Sequence, residues 1–140
     1  MSSTQIAPYL FLGGRGDEAI AFYRTALKAE VQMLMRYKES PEPPQMPLPP
    51  GWEEKIMHAS LSIGAASVFL SDGCGPNESG YKGFGLSLSV PDVAEADRAF
   101  AALSEGGEVT MPLSKTFFAP RFGMVTDRFG ICWMVIVMGN

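Results

Sequence analysis

The chain has 140 residues, 46% of them hydrophobic and 19% charged, with a formal net charge of −4. That length is about one domain with a buried core. The negative balance, with no run of Lys and Arg, argues against a nucleic-acid or anionic-membrane partner, and no apolar stretch approaches the roughly 18 residues of a membrane span.

Gln5 to Leu12 reads as an extended apolar strand, broken by Gly13-Gly14-Arg15-Gly16. Asp17 is placed to cap a helix whose Ile20, Tyr23 and Leu27 recur at helical spacing. Val31 to Tyr37 alternates, with Val31, Met33, Met35 and Tyr37 on one side. The segment 40–51 holds six prolines in twelve residues, which excludes a helix or central strand and predicts a long arm closed by Trp52. Ile56 to Ile63 and Ala66 to Ser71 are expected strands around a turn at Gly64-Ala65. In the first of them Met57, Ala59, Leu61 and Ile63 alternate with His58, Ser60 and Ser62. Asp72 to Lys82, with three glycines, is a linker.

Phe84 to Val90 starts a second series, with Ser87 and Ser89 alternating against Leu86 and Leu88. Asp92-Val93-Ala94-Glu95 reads as a capping box, and Gly106-Gly107 stops the helix it opens. Glu108 to Leu113, Thr116 to Thr126 and Ile131 to Met138 are expected strands, with a turn at Asp127-Arg128-Phe129-Gly130 before the last. The two series repeat one another. Glu18-Ala19, Tyr23 and Glu30-Val31-Gln32-Met33 return as Glu95-Ala96, Phe100 and Glu108-Val109-Thr110-Met111, 77 to 78 residues later. The expectation is an α+β fold of two β-α-β-β-β modules, 5–72 and 84–138, forming a cupped mixed sheet within a single domain spanning 1–140, with the arm 40–51 inserted in the first. The polar strand faces are then the walls of a shared cavity.

Several residues can carry chemistry. His58, the only histidine, suits a general base or a hydrogen-bond donor to a bound anion; a buried His that orders the sheet is the structural alternative. Ser60 and Ser87 can hydrogen-bond a ligand, and Arg121 can clamp a carboxylate or phosphonate. Phe122 adds aromatic lining, and Trp52, after the arm, can close over a cavity or a partner subunit. Cys74 and Cys132 lack metal or redox spacing and read as reduced thiols. Met1-Ser2-Ser3-Thr4-Gln5 has no basic start followed by an apolar run, so the cytoplasm is the expected location.

Pro8-Tyr9-Leu10-Phe11, Ala19-Ile20-Ala21-Phe22-Tyr23, Lys55-Ile56-Met57-His58-Ala59 and Leu70-Ser71-Asp72 resemble the vicinal oxygen chelate superfamily of glyoxalase I, extradiol dioxygenases and bleomycin resistance proteins. The most specific stretch is late: Met111-Pro112-Leu113, Thr116-Phe117-Phe118-Ala119, Phe122-Gly123-Met124, Asp127-Arg128-Phe129-Gly130 and Trp133-Met134, as in the PhnB-like branch. Metal-dependent members of that superfamily place a His or Glu at one position on each of four strands, around a divalent ion. Counting from the helices and turns puts those positions at Pro8, Val68, Gly85 and Met134, none of them a ligand for such an ion. The resemblance therefore implies a homodimer that binds a small polar metabolite with no metal cofactor. A metal-dependent lyase, isomerase or dioxygenase with a displaced site around His58 and Asp72 is the alternative, and a non-catalytic binding or regulatory dimer is a third reading.

Overall fold

The computed structural model describes residues 4–44, 46–77 and 80–138. The chain divides into two compact units, residues 1–78 and 79–140. The first runs β1 (Tyr9–Phe11), α1 (Gly16–Ala26), β2 (Glu30–Arg36), β3 (Ile56–Ile63) and β4 (Ala66–Ser71). The second runs β5 (Leu86–Val90), α2 (Val93–Ser104), β6 (Glu108–Ser114), β7 (Arg121–Thr126) and β8 (Cys132–Val137). The fold is α+β with two four-stranded mixed sheets, ordered β1-β4-β3-β2 and β5-β8-β7-β6. In each, the first strand runs parallel to the fourth and the other pairs are antiparallel. The duplication read in the sequence is thus a duplication of topology, expressed in two separate sheets.

Several elements are shorter than expected. Of the first apolar run only Tyr9–Phe11 is strand, and β5 starts at Leu86 rather than Phe84. The expected strand from Thr116 keeps only Arg121–Thr126. The alternation expected in β2 fails because bulges lie between Val31 and Met33 and between Met35 and Arg36. Val31 pairs with Leu61 while Met33 pairs with Ser60, so these two residues point to opposite faces. Opposite the second bulge β3 has an extra residue, and Ile56 rather than Met57 is buried.

In the first unit one sheet face carries the buried Leu10, Ala59, Leu61, Val68 and Leu70. In the second the equivalent face carries Val125, Trp133, Val135 and Val137, and α2 packs across all four strands. The approach there is close enough to require a glycine: a Cβ at Gly123 would lie 2.9 Å from both the Phe100 ring and the Leu113 backbone.

Candidate functional site

Alternation sets what lies on the other face of the first sheet. Ala59 pairs with Leu70 and Ser60 with Phe69, and Tyr9 lies beside Phe69 across the parallel pair. His58, Ser60, Phe69, Tyr9 and Phe11 therefore share the open face, with Met33 and Met35 brought there by the first β2 bulge. Tyr9 and Phe11 remain 42% and 52% exposed, a concentration of aromatic surface that a solvated face does not need.

At its centre Tyr9 Oη lies 2.8 Å from His58 Nδ1. The rings of Tyr9 and Phe69 each centre 5.6 Å from the imidazole, and Tyr9 stacks on Phe11 at 5.2 Å. Burial pushes the Tyr9 phenol above its ordinary pKa, so it is neutral and keeps its proton to donate. When it donates to Nδ1, the imidazole proton sits on Nε2 and His58 offers an N–H beyond the pair. No Lys or Arg points from these strands to this face; Arg36 pairs with the buried Ile56 and reaches Asp17 instead. Glu30 lies at the far end, opposite Ser62.

Sequence reasoning missed Tyr9. The signal was present, since Tyr9 and Phe11 alternate with Leu10 and Leu12, a two-residue period that separates an aromatic face from an aliphatic one.

The other site residues fall elsewhere. Asp72 is 0% exposed and faces no ligand: Gly14 N and Gly16 N donate to its Oδ1 at 2.9 and 2.8 Å, and Ile56 N donates to its Oδ2 at 2.9 Å. Trp52 is buried, and its indole N–H donates to Gly73 O at 2.7 Å beside the Tyr37 hydroxyl at 2.9 Å. It closes the base of the arm. Between arm and sheet lies a hollow of about 320 Å³ lined by Tyr37, Glu42, Pro43, Met46, Met57 and Cys74. In the second unit Ser87 and Phe122 lie on the open face, paired with Met134 and Ile136. Arg121 points to the opposite face, where its guanidinium sits 3.7 Å from Asp97 of α2.

The positions counted for a divalent metal need the same correction. Val68 is on the buried face, and its open-face neighbour is Phe69. Pro8 precedes β1, whose open-face residue is Tyr9. The donors around His58 are one imidazole, one phenol and the Ser60 hydroxyl, a set that does not fit an ion needing three His or carboxylate ligands. Among the described residues no group of three His, Cys, Asp or Glu is close enough to hold one. Nor, among them, is any helix long and apolar enough to cross a membrane.

Comparison with known proteins agrees with the topology. The chain is 34% identical to the Escherichia coli protein YjdN over 142 aligned positions, covering 95% of each. The crystal structure of PA1353 from Pseudomonas aeruginosa is 44% identical, with a TM-score of 0.84 over 99% of this chain and 100% of that one. The PhnB protein from Bacillus cereus has the same fold at 23% identity, with a TM-score of 0.78 over 96% and 99% of the two chains. The family model for the Glyoxalase/Bleomycin resistance protein/Dioxygenase superfamily matches residues 5–135, and the chain belongs to that superfamily.

Proposed function

We propose that the protein is a PhnB-like member of this superfamily that binds a small, polar, uncharged metabolite on the open face of the first unit, through His58 and without a divalent metal. The observation that carries the reading is the Tyr9–His58 pair at 2.8 Å, set among aromatic rings on a face to which β1 to β4 bring no Lys or Arg. Tyr9 occupies Nδ1, leaving Nε2 to hydrogen-bond the ligand, with Ser60 as a second polar contact and Tyr9, Phe11 and Phe69 as the apolar bed. A phosphonate or other strong anion would lose its hydration here with no cation from β1 to β4 to replace it. The poor metal donor set supports a metal-free site. Exposed apolar side chains on both units, among them Phe11, Val109 and Met111, support a homodimer. The protein acts in the cytoplasm.

A thermal-shift screen tests the reading, because a ligand that binds only the native state raises the melting temperature by mass action. Metal-stripped protein is screened against uncharged hydroxylated and heteroaromatic metabolites, against phosphonates, and against Zn²⁺, Ni²⁺, Mn²⁺ and Fe²⁺. The expected result is a saturable shift with an uncharged compound, lost in His58→Ala and weakened about tenfold in affinity in Tyr9→Phe. A saturable, His58-dependent shift with a metal overturns the metal-free reading, and one with a phosphonate overturns the uncharged ligand.

A further inference from the structure

The hollow of about 320 Å³ between the arm and the first sheet is walled largely by hydrocarbon and thioether, from Pro43, Pro44, Met46 and Met57. The bulge opposite the end of β2 explains how Met57 comes to line it. Met35 pairs with His58 and Arg36 with Ile56, so Met57 is the extra residue on β3. Strict alternation would turn Met57 to the core with Ala59 and Leu61; a bulge re-aims its side chain, and Met57 is half-buried in the hollow, one residue from His58. The opposite wall is tied to the aromatic bed. Tyr37 Oη and Trp52 Nε1 both donate to Gly73 O, at 2.9 and 2.7 Å, which fixes the peptide leading into Cys74. A Cβ at Gly73 would lie 3.6 Å from the Phe11 ring, so this peptide packs against the end of the bed. Burial is the main cause raising the Tyr37 phenol above its ordinary pKa, and Cys74 and Tyr9 are both close enough to add to it. The hollow and the Tyr9–His58 pair are therefore neighbours within the first unit.

We propose that this hollow is the apolar subsite of the ligand bound at His58, which makes that ligand a neutral amphipathic molecule. Its carbonyl or ring-nitrogen acceptor takes the hydrogen bond from Nε2, and its hydrocarbon tail lies between the arm and Met57. The proposal rests on the reading of His58 above and adds the class of molecule. A purely polar compound such as a sugar would leave Pro43, Pro44, Met46 and Met57 uncovered, whereas a tail removes their apolar surface from water. The volume equals that of about ten water molecules, room for a chain of about six carbons. The tail is not an anion: Glu42 stands in the wall, and no Lys or Arg is among the described residues that line it.

N-alkyl-2-pyridones from methyl to octyl test it, because each carries the same neutral head with a carbonyl acceptor and only the tail grows. In isothermal titration calorimetry of the full chain, affinity is expected to rise between about two- and fourfold per methylene until the hollow is full, then level off. The hexyl compound should also slow alkylation of the exposed Cys74 by iodoacetamide, read by peptide mass spectrometry, while the methyl compound does not. Met57→Trp fills the hollow, so it should remove the gain with tail length and leave the methyl compound's affinity unchanged. Met46→Trp, on the exposed arm, serves the same purpose if circular dichroism shows Met57→Trp unfolded. His58→Ala should weaken every member at least about tenfold. No binding by any member, flat affinities across the series, or a gain that survives the folded tryptophan variant overturns the subsite and leaves the His58 reading standing. Affinities and a gain with tail length that are unaltered in His58→Ala overturn the link to His58, and the reading of His58 with it.

Discussion

The two units share one topology but secure their helices in different ways. The α2 N-terminus is capped locally: Asp92 accepts from Glu95 N at 2.8 Å, three residues along the chain. Before α1 stands Arg15, whose side chain makes no capping hydrogen bond. The acceptor there comes from the far end of the unit, where Asp72, just after β4, takes the N–H groups of Gly14 and Gly16 and also that of Ile56 in β3. A Cβ at Gly16 would lie 2.9 Å from Asp72 Oδ1, so the glycine is what lets the carboxylate approach. The second unit has a buried carboxylate too, but Asp127 serves its own turn, accepting from Phe129 N, Ile131 N and Trp133 Nε1. One unit closes through a long-range tie; the other is assembled from local ones.

That contrast predicts a large difference between two aspartates. Asp72→Asn replaces a carboxylate that receives three buried or part-buried N–H groups with an amide that must turn a donor toward some of them. Leaving such donors unmet costs about 1 to 3 kcal/mol each, so a loss of about 4 kcal/mol is expected. Urea unfolding of the variant measures it, and a loss below about 1 kcal/mol would show that α1 is held by something other than Asp72.

The difference between the units also decided what could be read from the sequence. Local signals were legible: the Asp92 cap, the Gly106-Gly107 stop and the Gly130 turn all occur where their spacing put them. Asp17 was the misreading, because an acidic residue in a first helical turn looks the same whether it caps the helix or pairs elsewhere. Nothing near Gly16 announces a partner 56 residues away. The same limit applied at the candidate site. The face of His58 followed from alternation within one strand, whereas Val68 was placed on the wrong face because ungapped counting across strands ignores register. Tyr9 reaches His58 only through the pairing of β1 with β4 and β4 with β3, a relation that no single segment contains.

A smaller effect is expected at the local cap. Asp92→Ala removes one acceptor from an exposed helix end, and about 1 kcal/mol is the usual loss. Hydrogen exchange should speed up at Glu95 and Ala96 while leaving the first unit unchanged. If Asp92→Ala destabilises the protein as much as Asp72→Asn does, the distinction between local and long-range capping collapses.

The smallest effect concerns how α1 is tied down beside its tertiary cap. Asp17 and Arg36 pair through two 2.9 Å hydrogen bonds, joining the first turn of α1 to the end of β2, and Arg36 also donates to Glu54 O at 2.8 Å. The hydrogen bond from Arg36 is the main cause holding the Asp17 carboxyl below its ordinary pKa of 3.8. A depressed carboxyl stabilises the folded state fully above its unfolded pKa and loses that contribution as the pH falls through the folded one. More than half of the Asp17 side chain is exposed, so solvent screening keeps the pair below about 1 kcal/mol. The stability gap between wild type and Asp17→Asn should therefore be present at about pH 7 and gone by about pH 2. A gap that persists in acid would mean that Asp17 acts through something other than its charge, and that the pair with Arg36 does not contribute to holding α1.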